Sequence, residues 1–158
     1  MTTVARFVYS KMPDFPDLEP GLPVVPLRLM YAAPDGSATV VPVQAIVDSG
    51  SSVNILPYDV GVQLGLDWKM QTFELPVAQW LRGTKAFGVL VGGHIEPFPP
   101  VELAFAWTEK TSVEVPVLLG ETNFFQEFDV CLSGSRQVFE IAPKGTLIQD
   151  GSVKAARL

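Results

Sequence analysis

This sequence predicts a mostly-β protein with two short helices, and three observations carry that prediction. Fourteen prolines and thirteen glycines are scattered through 158 residues, which interrupts any long helix. Between them lie short runs of Val, Leu, Ile and Phe, of strand length and bounded by turn residues. Hydrophobic residues make up 47% of the chain, enough to bury a core in one domain of this size and too many for a disordered polymer.

The elements follow in order. Residues 3–9 (TVARFVY) read as an edge strand. Residues 11–26 (KMPDFPDLEPGLPVVP) carry five prolines. Residues 1–21 are therefore expected to be an N-terminal arm or linker, either in contact with a partner or simply solvated. Residues 24–31 (VVPLRLMY), a turn at Pro34-Asp35-Gly36 and a return strand over residues 39–47 (TVVPVQAIV) make a hairpin. Pro42 lacks an N–H, which predicts an edge position or a bulge. Pro57 opens a helix over YDVGVQL, Gly65 stops it, and Gly61 holds it to about two turns.

Within residues 72–93, two strand-like pieces flank a turn at Arg82-Gly83-Thr84-Lys85, and Gly92-Gly93 end the second piece. Residues 101–107 (VELAFAW) and 113–119 (VEVPVLL) are expected to pair around Thr108-Glu109-Lys110-Thr111. Gly120 breaks that pair, and ETNFFQEF reads as a short helix turning Phe124, Phe125 and Phe128 inward. Residues 130–132 and 138–141 form a last hairpin around Ser133-Gly134-Ser135. Residues 144–158 are expected to be a tail.

Composition excludes several functions. The net charge is -6, with no basic run, which argues against nucleic acid, since binding it needs clustered Lys and Arg to displace counterions. His94 is the one histidine and Cys131 the one cysteine, so neither a zinc site nor an internal disulfide is expected. No GxxxxGK[ST] occurs, and no cofactor is expected. Without a basic-then-apolar leader or an unbroken apolar run near 18 residues, the expectation is a soluble, cytoplasmic protein with no membrane contact.

The informative stretch is AIVDSGSSVNILP, residues 45–57. Asp-Ser-Gly on its own is an Asx-type turn. Here, however, Val43, Ala45, Ile46 and Val47 lead into Asp48, which places a carboxylate where a buried strand ends. Such a group must be hydrogen-bonded, paired or functional, because burying it unpaired is costly. Ser49 can donate its hydroxyl, Gly50 lets the backbone bend sharply, and Ser51 and Ser52 add small polar groups.

With AIVDSGSSVNILPYDVGVQLGL and, some seventy residues later, VPVLLGETNFFQEFDV, the chain resembles the retropepsin-like aspartic proteases. That family carries Asp-Ser/Thr-Gly-Ala/Ser on a catalytic turn, and later a pair of apolar residues, a glycine and a helix. The resemblance covers residues 22–143 and implies a retropepsin-like fold with one lobe per chain. Asp35 and Asp150 precede Gly-Ser, the wrong order, so the chain holds one Asp-Ser-Gly. The resemblance thus implies a homodimer in which two Asp48 carboxylates, one per subunit, share a proton across a lytic water. The implied substrate is an extended peptide or protein, cleaved at acidic to near-neutral pH.

Residue by residue, the resemblance implies that Asp48, Ser49 and Gly50 form the catalytic turn. Ser49 would tie the two turns together across the axis, and the Gly50 carbonyl would meet substrate backbone. Leu118, Leu119 and Gly120 would pack beneath the turn. Ser51, Ser52 and a flap containing Leu81, Arg82, Gly83 and Thr84 would contact substrate, with Trp80 lining a subsite or filling core. The chain departs from many relatives at Ser52 and Glu121, where an acidic residue and an arginine often form an ion pair. Two other readings compete. One is a non-catalytic dimerisation or peptide-binding module on the same fold. The other is a serine hydrolase using Ser51 or Ser52 with His94, which lacks the second glycine of GxSxG.

Overall fold

The computed structural model describes residues 3–12, 14–15, 21–76 and 83–147. Its strands are β1 (Ala5–Val8), β2 (Val24–Ala32), β3 (Ala38–Val47), β4 (Asn54–Leu56), β5 (Ala86–His94), β6 (Val101–Thr108), β7 (Val117–Leu119), β8 (Phe128–Ser133) and β9 (Val138–Pro143). The two α-helices are α1 (Tyr58–Leu64) and α2 (Phe124–Glu127). Mostly β with two short helices is the predicted class, realised as a single lobe.

The predicted hairpin dominates. β2 and β3 pair without a break from Val24↔Ile46 to Ala32↔Ala38, around a turn in which Asp35 accepts hydrogen bonds from the Ser37 N–H and hydroxyl. Pro42 faces Arg28 in that unbroken register, so it makes no bulge. It sits where β3 has run past β7, which pairs with β3 only from Ala45 to Val47. The barrel order is β2-β3-β7-β4-β6-β5, closed by β5 pairing back onto β2. Alternate residues of these strands point inward. Leu27, Leu29, Ala45, Leu56, Leu103, Phe105, Trp107 and Leu119 are all at most 1% exposed.

A second, three-stranded antiparallel sheet has the order β1-β9-β8. Phe7 stacks on Phe139 with ring centroids 5.2 Å apart, and Phe139 and Ile141 join the barrel's core. The segment ahead of residue 22 therefore contributes a paired strand. The predicted last hairpin is β8 and β9.

Three expectations fail, each for a physical reason. Residues 113–119 do not pair with β6. Only Val117–Leu119 is strand, parallel to β3 and antiparallel to β4, and β4 lies between it and β6. The front half is spent on a turn: the Glu114 and Val115 N–H groups donate to the Thr111 carbonyl, and the Asp59 carboxylate accepts from the Ser112 N–H. Gly92-Gly93 do not end β5, which continues to His94. They let the barrel close, since a Cβ on Gly93 would lie 2.4 Å from Leu103 Cδ1. Of the earlier of the two pieces expected in residues 72–93, the described part, residues 72–76, makes no named strand. It runs beside β5 through the Glu74↔Phe87 bridge, with Leu75 N–H donating to the Ala86 carbonyl.

Both helices lie where predicted. Gly65, at φ +92°, takes the left-handed conformation that stops α1. Phe124 and Phe128 are buried and Phe125 is half-buried against the core. Among the described residues no helix is long and apolar enough to cross a membrane.

Candidate active site

Because β7 lies between β3 and β4, the turn joining those two strands must arch over the end of β7. That arch is residues 48–53. Its first residue is fixed by the Asp48 N–H donating to the Leu119 carbonyl at 2.9 Å. The Gly50 N–H donates to Asp48 Oδ1 at 2.9 Å and the Ser51 N–H to the Asp48 carbonyl at 3.1 Å. The carboxylate is thus held by its own turn, as an Asx turn holds its aspartate. It is half-buried, while Ser49, Gly50 and Ser52 are exposed. Ser51 is buried, and its hydroxyl donates to the Val53 carbonyl at 2.6 Å.

Gly120 lies directly beneath the arch. A Cβ there would come within 2.5 Å of both the Ser51 and Val53 carbonyl oxygens, so only glycine fits. Beyond it, the Glu121 N–H donates to the Ser51 carbonyl and the Thr122 N–H to the Ser52 carbonyl. Ser52 and Glu121, the departures from the family pattern, are therefore in adjacent segments joined by backbone hydrogen bonds. Leu119 faces the core and Leu118 the opposite side.

Asn54 was missed by sequence reasoning. It is fully buried, and its Oδ1 accepts from the Gly120 N–H at 2.7 Å. Its Nδ2 donates to the Ala104 carbonyl and to Asn123 Oδ1, and Asn123 Oδ1 also accepts from the Ala104 N–H. Two side-chain amides thereby fasten the arch to β6. The available signal was one polar residue between Val53 and Ile55, since a buried amide needs partners.

Asp48 and Ser49 open onto a groove of about 410 Å³, whose walls include Leu22, Ile46, Leu118 and Leu132. Asp48 is the one carboxylate among the described residues lining it. A carboxylate on an apolar groove can take a proton from water, but one alone cannot also deliver a proton to the substrate.

The structure brings Asp48, Ser49, Gly50, Ser51, Ser52 and the Leu118–Gly120 segment together. Gly83, at φ +75°, and the buried Thr84 precede β5 and do not line the groove at Asp48. Trp80, Leu81 and Arg82 lie outside the described residues. His94 faces Arg28, which faces Pro42, well down β3 from the arch. With the Ser51 hydroxyl committed to Val53, the serine hydrolase arrangement is not formed. Among the described residues no group of three or more His, Cys, Asp and Glu is placed to hold a metal ion.

No protein-family model matches the chain, and no curated protein does. Among solved structures, the chain is similar to a retropepsin-like aspartic protease from Rickettsia conorii. The TM-score is 0.57 at 13% sequence identity, covering 90% of this chain and 94% of that one. That likeness is one of fold: the barrel, the arch and the small sheet together make a retropepsin-like lobe.

Proposed function

We propose that this protein is an aspartic endopeptidase that works as a homodimer, with residues 22–143 as its catalytic domain. One observation supports this most: Asp48 is held by the Gly50 N–H at the end of a core strand, over a glycine that admits no side chain, and open to a groove. A turn needed only for its shape would not require that carboxylate to reach a cleft.

In this reading two copies meet so that their Asp48 side chains face each other across a two-fold axis. Two carboxylates that close share one proton. The ionised one takes a proton from a bound water, which attacks the peptide carbonyl carbon, while the protonated one gives its proton to the carbonyl oxygen. The resulting diol collapses as the amide nitrogen is protonated and the C–N bond breaks. Ser49 hydrogen-bonds across the axis, the Gly50 carbonyl accepts from substrate backbone, and Leu118, Leu119 and Gly120 hold the arch from below. Ser52 and the segment containing Leu81, Arg82 and Gly83 contact the extended substrate, while Thr84, expected to join them, is buried and supports that segment instead. The proposed setting is the cytoplasm.

The test is cleavage of a peptide library between acidic and neutral pH by wild type and by Asp48→Asn. Cleavage by wild type that falls at least about a thousandfold in the variant is expected, because one carboxylate and an amide cannot share the acid and base roles. Equal cleavage by both would overturn the assignment of Asp48. A second reading, a non-catalytic dimerisation or peptide-binding module, is favoured by Ser52 and Glu121, which replace an ion pair with backbone contacts alone. A folded dimer that binds peptides and cleaves none would establish it.

A further inference from the structure

The small sheet has one edge that is guarded and one that is not. β1 is its outer strand on one side, and that strand carries Arg6, whose side chain is 70% exposed. On the other side is β8, which among the described residues pairs with β9 alone. Exposed edge strands are commonly protected by Lys, Pro or a bulge, because their free N–H and C=O groups otherwise pair with another chain. From Val130 to Ser133, β8 has no charge and no proline, and its register with β9 is unbroken.

The two faces of β8 differ. Phe128 and Val130 pack on the core, so by strand alternation Leu132 shares their face, and it pairs with the fully buried Phe139. Leu132 is nevertheless 42% exposed. It lines the groove that holds Asp48, together with Tyr9 and with Ile46, Val47 and Leu118 from the barrel. The unpaired edge of β8 therefore runs along the groove onto which Asp48 opens. Cys131, which is exposed, belongs to the opposite face and pairs with Glu140.

We propose that β8 is the strand through which two copies of this chain meet: their β8 edges pair antiparallel about the two-fold axis, with both Leu132 side chains beneath the two Asp48 carboxylates. The small sheets then join into one, in the order β1-β9-β8-β8-β9-β1. This rests on the reading of Asp48 as half of a carboxylate pair. A two-fold axis between two Asp48 side chains must pass close to the groove beside them, and β8 is the sheet edge that lines it. A two-fold perpendicular to a sheet makes the strands it relates antiparallel and sets one residue opposite its own copy. Centred on Cys131 or Leu132, that contact brings no charge against its like. Asp129 lies two or three positions from either centre, with its carboxylate held by the Thr146 and Leu147 N–H groups. Self-pairing of β1 would instead set Arg6 opposite or diagonal to its own copy, which is unfavourable. The second β8 also closes the Asp48 groove on the side of the small sheet, so the site is complete only in the pair.

A native thiol supplies the test, since Cys131 is the one cysteine in the chain. The two Cys131 Cα atoms lie about 5 Å apart if the pairing is centred on Cys131, and about 7–8 Å apart if it is centred on Leu132. The full chain is treated with a bismaleimide long enough to join the thiols at either separation. Its mass is followed by analytical ultracentrifugation at stepped concentrations, for wild type, Leu132→Asp, Leu132→Met and Val8→Asp. Wild type, Leu132→Met and Val8→Asp, a change on β1, are expected to cross-link in proportion to their dimer fraction. Leu132→Asp sets two like charges together on the axis and should weaken the dimer at least about tenfold. Should that variant fail to fold, the cross-link in wild type still decides. A dimer that does not cross-link through Cys131, a dimer undiminished in folded Leu132→Asp, or a chain monomeric at every concentration overturns the proposal. Peptide cleavage is read in the same samples. A Cys131-linked dimer that cleaves nothing supports the pairing of β8 and sinks the protease reading. Cleavage that Asp48→Asn abolishes, from a dimer that does not cross-link, keeps the protease and overturns β8.

Discussion

At the scale of single residues, Gly61 shows how steric and intrinsic preferences are weighed. Gly61 lies inside α1, where alanine is favoured over glycine by about 1 kcal/mol. A Cβ there would lie 2.2 Å from Trp107 Nε1 and 2.3 Å from Cε2. The ring cannot easily give way, because Trp107 is fully buried and its Nε1 donates to the Tyr58 carbonyl at 3.1 Å. Overpacking of that kind costs about 1–3 kcal/mol, and more when the neighbour is fixed. Gly61→Ala is therefore expected to destabilise the protein by about 2 kcal/mol in denaturant unfolding. A gain in stability would mean that helix propensity outweighs the clash. From the sequence alone, Gly61 reads only as a weak point in a helix, since its partner is forty-six positions away in the chain, on β6.

At the scale of elements, what could be read from the sequence was whatever is decided locally. The β2–β3 and β8–β9 hairpins, the Pro57 start and Gly65 stop of α1, and the Asp48-Ser49-Gly50 turn all carry their signals within a few residues. The pairing of β7 was not legible. Its short apolar run fits β6, β3 or β4 equally well, and only closure of the barrel decides among them. For the site, the carboxylate and its glycine were readable, whereas Asn54 was not, because its importance lies in contacts with distant segments. Asp129 illustrates an element-level link that titration can test. The Leu147 N–H, and after it those of Gly145 and Thr146, hydrogen-bond its carboxylate and hold its pKa below the ordinary value, tying residues 145–147 to β8. A carboxyl whose folded pKa is depressed contributes stability above its unfolded value, about pH 4. That contribution is lost as the pH falls through the folded value. The difference in urea midpoint between wild type and Asp129→Asn should accordingly be largest near neutrality and shrink below about pH 4. A difference that is constant with pH would show that the carboxylate charge is not what holds the segment.

At the scale of the whole molecule, the barrel strands close in a ring, although β3 runs past β7 ahead of Ala45, while β1 and β8 are the outer strands of the small sheet. If two copies build the active site, activity must depend on their meeting. Specific activity is expected to fall on dilution, in step with the dimer fraction measured by analytical ultracentrifugation. Activity per chain that stays constant while the protein is monomeric would rule out a site shared between copies. The small sheet also bears on how the protein is made. Its first strand pairs with its last, and Arg6 and Glu140, in ion-pair contact across them, are 134 positions apart. During synthesis at about 5–20 residues per second, β1 emerges on the order of ten seconds before its partner exists. Through that interval Phe7 and Tyr9 have no Phe139 to cover them. The nascent chain thus carries an unsatisfied aromatic strand, a natural target for a chaperone, until β9 arrives and completes the sheet.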